Sequence, residues 1–371
     1  MATPRLDDTR PCRLRGVAFI APGFDAPGGG MEGQARRLAR AVAGHGVPVT
    51  YVTTAPQGAA LPTHEVLGLV QVYRVPVLTT VDWATSLDLL ERAGLGLLAA
   101  RREQAQVVYA VHHTFGAIAA RVGRALDVPV VVKLTGAGKH GDARTVLASR
   151  RRARLLDDLR RAARVVAVTD AIAGEARDLL GVAPERIARI PNGVDLETFR
   201  SDAARPEAGE RVVFLGQLRR EKRVDVLLDA FARVATTRPA AELVVAGDGP
   251  ERAALEAQVG RLGLGARVRF LGLVDDPVEV LRGARVLALS SESEGMSNAL
   301  LEAMACAVPV VTTRVGGADE VVRDGVEGLL VPVGDPAAMA DGLSRVLGDP
   351  ALARRMGEAA RQRAQEAFDI E

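Results

Sequence analysis

The sequence predicts an α/β chain built from two doubly wound domains. Short apolar runs rich in Val alternate with helix-patterned segments almost without interruption from Arg15 to Ala367, and alternation of this kind makes parallel sheets. The runs are apolar at nearly every position rather than at every second one, as expected of strands covered on both faces. They fall into two sets on either side of a turn-rich stretch, and 371 residues suffice for two domains of ordinary size.

In the first set, strands are expected over 17–21 (VAFIA), 49–53 (VTYVT), 107–111 (VVYAV), 130–134 (VVVKL) and 165–168 (VVAV). In the second they are expected over 212–216 (VVFLG), 243–246 (LVVA), 268–271 (VRFL), 286–289 (VLAL) and 308–312 (VPVVT). The segment 32–42 carries Ala35, Leu38, Ala39 and Val42 on one side, the pattern of a helix covering a sheet. The boundary falls at Ile190-Pro191-Asn192-Gly193-Val194-Asp195, where Pro-Asn-Gly stops a short strand ahead of a polar run over 201–210. The domains are therefore read as 1–190 and 191–355, with a last helix over 356–371 that turns back toward the first. In open α/β sheets ligands bind beyond the carboxyl ends of the strands, so two such domains face each other across a cleft.

Composition narrows the classes of function. A net charge of +2 and 3% aromatic residues give no basic surface interleaved with aromatics, which argues against nucleic acid. Cys12 and Cys306 are far apart, have no zinc-type spacing and suit a reducing cytosol without disulfides. No metal site and no cofactor are expected. The N-terminus lacks a basic start and an apolar run, and the longest apolar stretches, 94–100 and 303–311, fall short of the ~20 residues that span a bilayer. A cytoplasmic protein follows as the expectation. Arg150, Arg151, Arg152, Arg154, Arg160, Arg161 and Arg164 crowd one predicted helix, read either as a solvated face or as weak peripheral contact with the inner face of an anionic membrane.

Four strand-end loops carry candidate chemistry. Gly28-Gly29-Gly30 follows the first strand and leads into a helix, where backbone N–H groups can approach an anion; a turn without a ligand is the alternative. Gly247-Asp248-Gly249-Pro250 lacks the third glycine of a dinucleotide loop and reads better as a tight turn with Pro250 near the first helical turn. The stretch 216–223, from Gly216 and Gln217 through Arg219, Arg220, Lys222 and Arg223, gathers four cations suited to phosphate, or forms a solvated basic turn. In 290–306, Glu294 lies in a loop and Glu302 about one turn inside a helix that begins near Ser297 or Asn298. The free amides of Ser297, Asn298, Ala299 and Leu300 lie between the two acids. The order acid, anion cradle, acid suits a nucleotide sugar, whose hydroxyls flank a diphosphate. A hydrolytic carboxylate pair is the competing reading; it needs one acid of raised pKa, against which cations and helix amides work.

Together these segments resemble the retaining glycosyltransferases of family 4, which have the GT-B fold of two Rossmann-like domains facing a cleft. The resemblance covers most of the chain. It is most specific where Glu294-Gly295 and Glu302-Ala303-Met304, with seven residues between the two acids, are followed by Gly316-Gly317, Glu320, Asp324-Gly325 and Gly328-Leu329-Leu330-Val331. It implies a metal-independent transferase moving a sugar from a nucleotide diphosphate sugar, of UDP or GDP type, to an acceptor hydroxyl. By resemblance Glu294 meets the transferred sugar, Glu302 the ribose, and Lys222 with the amides near Asn298 and Ala299 the diphosphate. Gly216, Gln217, Arg220, Gly295, Met296 and Ser297 complete the donor site, and Gly29 and Gly30 close over the phosphates from the first domain. Glu294, Lys222 and His113 are the candidate catalytic residues; His112, Lys133 and Thr135 belong to the acceptor side. Three positions depart from the family pattern: Gln217 stands for an arginine, Thr135 for a histidine, and Tyr109-Ala110-Val111 for a His-x-His. An epimerase or hydrolase of similar fold, or a non-catalytic partner subunit, are the alternatives.

Overall fold

The computed structural model describes residues 14–24, 30–55, 61–75, 83–200, 209–274 and 276–371. Gly28 and Gly29, and Cys12, lie outside the described residues. The first sheet contains β1 (Val17–Ile20), β2 (Val49–Thr54), β3 (His64–Leu67), β4 (Val70–Val75), β5 (Val107–Val111), β6 (Val130–Leu134), β7 (Arg164–Ala167) and β8 (Ile187–Arg189). Their order is β3-β4-β2-β1-β5-β6-β7-β8. Around it lie α1 (Gly30–Gly44), α2 (Trp83–Ala99), α3 (His112–Leu126), α4 (Asp142–Ala148), α5 (Arg152–Arg160) and α6 (Asp170–Asp178).

The second sheet contains β9 (Arg211–Leu215), β10 (Glu242–Ala246), β11 (Val268–Gly272), β12 (Val286–Leu289), β13 (Val310–Thr313) and β14 (Gly328–Val331), in the order β11-β10-β9-β12-β13-β14. Its helices are α7 (Val224–Thr237), α8 (Arg252–Arg261), α9 (Pro277–Arg282), α10 (Asn298–Ala305), α11 (Ala318–Val321), α12 (Pro336–Gly348) and α13 (Pro350–Ala367). All neighbouring pairs are parallel except β3 with β4. The predicted α/β class and both doubly wound sheets are therefore present.

Pleating explains why the strands read as unbroken apolar runs. Along β1, Val17 and Phe19 join Tyr51, Val72 and Val111 under Ala35 and Ala39 of α1. Ala18 and Ile20 face the other way, with Ala110, Val132, Phe115 and Ile118. Phe19 and Tyr51 are wholly buried, each contributing about 1.5–3 kcal/mol by burial. On α3, a Cβ at Gly116 would lie 2.5 Å from Val132 Cγ1, and one at Gly123 2.2 Å from Val130 Cγ2. Only glycine lets α3 approach β6 this closely, which helps to bring the start of α3 beside the end of that strand.

Four features differ from the reading of the sequence. The hairpin β3–β4 was not anticipated, because β3 (His-Glu-Val-Leu) is a mostly exposed edge strand without an apolar run. The last helix begins at Pro350, not 356: Asp349 Oδ1 accepts from Leu352 N at 2.9 Å, and Pro350 suits the first turn. The clustered arginines do not share one helix, since Arg150 and Arg151 precede α5 and Arg164 opens β7. Arg160 also donates to Leu180 O at 2.7 Å and Arg161 pairs with Asp157 at 2.8 Å. Finally, several strands are displaced by one or two residues, β13 by Pro309, which cannot donate to the ladder. Among the described residues no helix is long and apolar enough to cross a membrane.

After α13 the chain reaches the interdomain linker. Val194 N donates to Phe368 O at 2.7 Å and Ile370 N to Val194 O at 3.2 Å. A Cβ on Gly193 would fall 2.7 Å from Ile370 Cα. Arg361 Nη1 donates to Phe199 O and Ala305 O at 2.7 and 2.6 Å, tying linker, α10 and α13 together.

Candidate active site

The carboxyl ends of β9, β12 and β13 carry the predicted donor loops, and hydrogen bonds hold those loops against one another. Ser290 Oγ donates to Lys222 O and Arg223 O at 2.9 and 2.8 Å, and Glu292 N to Glu221 O at 2.8 Å. The loop 290–294 is thereby fastened to the turn 219–223, and Lys222 Nζ comes to rest on Glu294 Oε1. That oxygen also accepts from Ser291 Oγ at 2.9 Å. The two residues expected to meet phosphate and sugar separately thus form an ion pair, both largely buried. Gln217 accepts from Arg219 Nε at 2.8 Å, so the residue that stands for the family's arginine orients a neighbouring cation. Arg223 pairs with Asp225, while Arg220 is exposed and reaches no acid among the described residues.

Gly247-Asp248-Gly249 is the tight turn expected of it. Gly247, at φ +143°, would place a Cβ 1.8 Å from Gly216 O, and Gly249 would place one 2.4 Å from Leu218 O. This turn supports the 216–219 loop from beneath.

Beside the Lys222–Glu294 pair stands the N-terminus of α10. The amides of Asn298, Ala299 and Leu300 find no acceptor among the described residues, as first-turn geometry dictates. The side chain of Asn298 reaches the first domain: its Nδ2 donates to Gly30 O at 2.5 Å, and its Oδ1 accepts from Gln34 Nε2 at 2.8 Å and Asn192 Nδ2 at 3.0 Å. Asn192 also donates to Met296 O at 3.0 Å. Glu302, 8% exposed, is met by Arg37 of α1, with Nη2 3.2 Å from Oε1. Burial pushes the Glu302 carboxyl above its usual pKa and Arg37 only partly offsets this. The expectation that cations and amides work against a raised pKa therefore fails at Glu302, which lies deeper than its place near a helix start suggested.

A second bridge across the cleft runs through backbone. Gly136 pairs with Gly295, and Ser293 Oγ donates to Ala137 O at 3.0 Å. A Cβ on Gly295 would lie 1.8 Å from Thr135 O. Gly295→Ala is therefore expected to push the domains apart here, lowering kcat/KM by about 10²-fold through misplacement of the two halves. Small-angle scattering should show a larger radius than wild type, and an unchanged radius with unchanged activity would contradict this.

On the acceptor side the organising residue is Asp142, which sequence reasoning did not single out. Its Oδ1 accepts from His113 N and His113 Nδ1 at 2.9 and 2.8 Å, and its Oδ2 from Thr135 N and Gly136 N at 2.8 and 3.0 Å. The start of α3, the end of β6 and the start of α4 thus meet on one buried carboxylate. His113 is only 5% exposed, its Nδ1 tied to that carboxylate, so it acts as part of the scaffold at that atom. His112 is half-buried at φ +70°, a conformation rare for a non-glycine residue, with its ring 3.9 Å from that of His113. Burial and His113 hold its pKa below the ordinary value, with Asp142 opposing. The three side chains lie close enough to suggest a cation site, but Asp142 already accepts four hydrogen bonds and has no lone pair to spare.

Lys133, near the end of β6, is 7% exposed, and its ammonium has no hydrogen bond or ion pair among the described residues. Burial, with the like charge of Arg37, pushes its ammonium down to about 8. An unfolded lysine titrates near 10.4, so between these values the unfolded chain binds the extra proton and stability rises with pH; below about pH 8 the folded state bears the full cost. Lys133→Met is expected to stabilise the protein by about 1–3 kcal/mol at pH 7. Thermal melts should show the gain shrinking toward pH 10, and a variant less stable at pH 7 would contradict the reading.

Two facing Rossmann-like domains with a carboxylate–lysine pair and a helix N-terminus at their junction define a sugar transferase of the GT-B class. Residues 195–363 match the model described as glycosyl transferases group 1, and residues 28–198 that of glycosyltransferase family 4. D-inositol 3-phosphate glycosyltransferase 1 of Catenulispora acidiphila is 32% identical over 373 residues, 92% of this chain and 88% of that protein. N-acetyl-alpha-D-glucosaminyl L-malate synthase of Bacillus anthracis is 38% identical over 177 residues, 48% of this chain and 46% of that relative. Among solved structures, sucrose-phosphate synthase from Thermosynechococcus elongatus has the same fold, with a TM-score of 0.80, 24% identity and 95% of each chain covered. HepE of Anabaena in complex with UDP-glucose also shares it, with a TM-score of 0.76, 20% identity, and coverage of 95% of this chain and 96% of that one. The chain belongs to glycosyltransferase family 4 and is a glycosyltransferase enzyme.

Proposed function

We propose that the enzyme moves a sugar from a nucleotide diphosphate sugar of UDP or GDP type to an acceptor hydroxyl, with retention of configuration and without a metal ion. The observation that carries this reading is the Lys222–Glu294 pair set beside the unpartnered amides of α10. A diphosphate at those amides lies within reach of the Lys222 ammonium, which has three N–H donors and serves phosphate and Glu294 together. Glu294 then accepts from hydroxyls of the transferred sugar, and Glu302 from the ribose. As the bond from the anomeric carbon to the phosphate oxygen breaks, charge grows on the leaving diphosphate, where Lys222 and the helix end stabilise it. The acceptor oxygen bonds to the anomeric carbon from the same face, and its proton passes to the departing phosphate. No side chain serves as a nucleophile.

UDP is favoured over GDP by the likeness to HepE, which is described with UDP-glucose. We assign the reaction to the cytosol; the buried free thiol of Cys306 suits a reducing compartment. The test is incubation with UDP- and GDP-linked sugars, with and without EDTA, followed by NMR of the product's anomeric centre. Retained configuration and indifference to EDTA are expected; inversion, or loss of turnover with EDTA, overturns the corresponding part.

A further inference from the structure

The cleft holds a charge that the reaction above leaves unused. Lys133 alternates along β6 with Val132, which packs on Gly116 of α3, so Lys133 occupies the opposite face, the one covered by α1. It lies beside Val111 of β5 and Val166 of β7, two residues before the Thr135 amide that binds Asp142. The strand therefore carries it to the cleft end of the sheet. Its side chain is more than nine-tenths buried and meets no acid among the described residues.

The neighbouring charge is another cation. Arg37 uses Nη2 on Glu302, and its buried Nε has no acceptor among the described residues. Asp195 also feels the Arg37 charge, but its carboxylate is engaged by Glu197 N and Thr198 N, both at 3.0 Å, and by Thr198 Oγ1 at 2.5 Å. Glu302 thus answers Arg37 alone and Lys133 has no carboxylate among the described residues, and in the proposed reaction the donor's ribose takes Glu302. A buried charge without a counterion is unfavourable, and such a group in a cleft marks a place where a ligand supplies the opposite sign.

We propose that Lys133 and Arg37 bind an anionic group, phosphate or carboxylate, carried by the acceptor. The inference rests on the transferase reading and names the acceptor's chemistry. It also orders the substrates. Donor ribose engages Glu302 and releases Arg37; the freed guanidinium then presents a fork of N–H donors to the acceptor's oxyanion beside the Lys133 ammonium. The donor diphosphate has its own partners in Lys222 and the α10 amides, on the other domain.

Two measurements test this. In the first, inorganic phosphate is titrated calorimetrically into enzyme saturated with UDP, so that the diphosphate subsite is filled. Wild type is expected to bind phosphate, and Lys133→Met at least about tenfold more weakly, with UDP affinity unchanged. Equal phosphate affinity in the two proteins overturns the proposal, and so does a matching loss of UDP affinity, which would move Lys133 to the donor site. Because the substitution removes an unpaired charge, folding is checked by its melt, with Arg37→Gln as a second variant expected to weaken phosphate similarly.

In the second, a neutral polyol, its phosphomonoester and a hydroxy acid are compared as acceptors, the phosphomonoester both free and as a lipid headgroup on vesicles. The charged acceptors are expected to exceed the neutral one by about 10- to 100-fold in kcat/KM, with the preference lost in Lys133→Met. Either source of phosphate supports the site, and the one used identifies the acceptor. Equal use of the neutral polyol overturns the anion site while the transferase reading stands. Failure of every nucleotide sugar to turn over overturns the transferase reading, and the phosphate titration still decides the anion site.

Discussion

Lys222→Ala is expected to lower kcat for sugar transfer by about 10²–10³-fold, the size of effect seen when one preorganised donor to a developing oxyanion is removed. The turn that carries Lys222 is fastened to the loop after β12. Ser290 bonds two of its carbonyls and Glu292 N a third, so the ammonium is delivered from a fixed backbone and pays little reorganisation when the donor binds. Its partner Glu294 holds it in the ligand-free enzyme. Removing the ammonium leaves Glu294 with Ser291 alone, so stability should change far less than turnover. The distinguishing measurement is the split between parameters. If Lys222 acts mainly on charge that grows as the leaving group departs, kcat falls much more than nucleotide affinity; if both fall equally, the residue contributes only uniform binding. Lys222→Arg should recover part of the loss by restoring the charge with different geometry. A variant with wild-type kcat would remove Lys222 from the mechanism.

The same pair shows what could be read from the sequence. Val286–Leu289 announces a strand by its apolar run, and the helix pattern after Asn298 places Glu294 in a loop and Glu302 inside a helix; both placements need only local periodicity. Resemblance rather than spacing assigns Lys222, 72 residues away, to the same donor as Glu294, and neither shows that the two side chains pair. Contacts between the domains left no such trace. Gln34 and Arg37 sit on an amphipathic helix, where polar residues read as a solvated face, yet they bond Asn298 and Glu302 of the other domain. Asp142 follows a Gly-rich stretch whose composition says turn; only the meeting of α3, β6 and α4 makes it a shared acceptor. The edge strand β3 was illegible for a simpler reason, since one exposed face needs no apolar pattern.

Asp142→Ala is expected to destabilise the protein by about 3–5 kcal/mol, the cost of removing one partner from a buried charged network. Three backbone amides, of His113, Thr135 and Gly136, lose their acceptor at once, together with the His113 ring. Asn is no remedy, because its amide nitrogen would face N–H donors on one side of the network. The effect carries a pH signature. Burial alone would raise the Asp142 pKa; the His113 hydrogen bonds and the charges of His112 and His113 outweigh it and hold the carboxyl well below the usual range. A depressed folded pKa means that this stabilisation is complete above the unfolded value near 3.9 and is lost as pH falls toward the folded one. Denaturant melts should therefore separate wild type from Asp142→Asn widely at pH 7, with the gap narrowing only below about pH 4. Activity should fall with the scaffold, because the loop that Asp142 holds at Thr135 and Gly136 is the one that pairs with Gly295 across the cleft. A variant that keeps full stability but loses turnover would show instead that Asp142 acts on substrate, through His113, rather than on the fold.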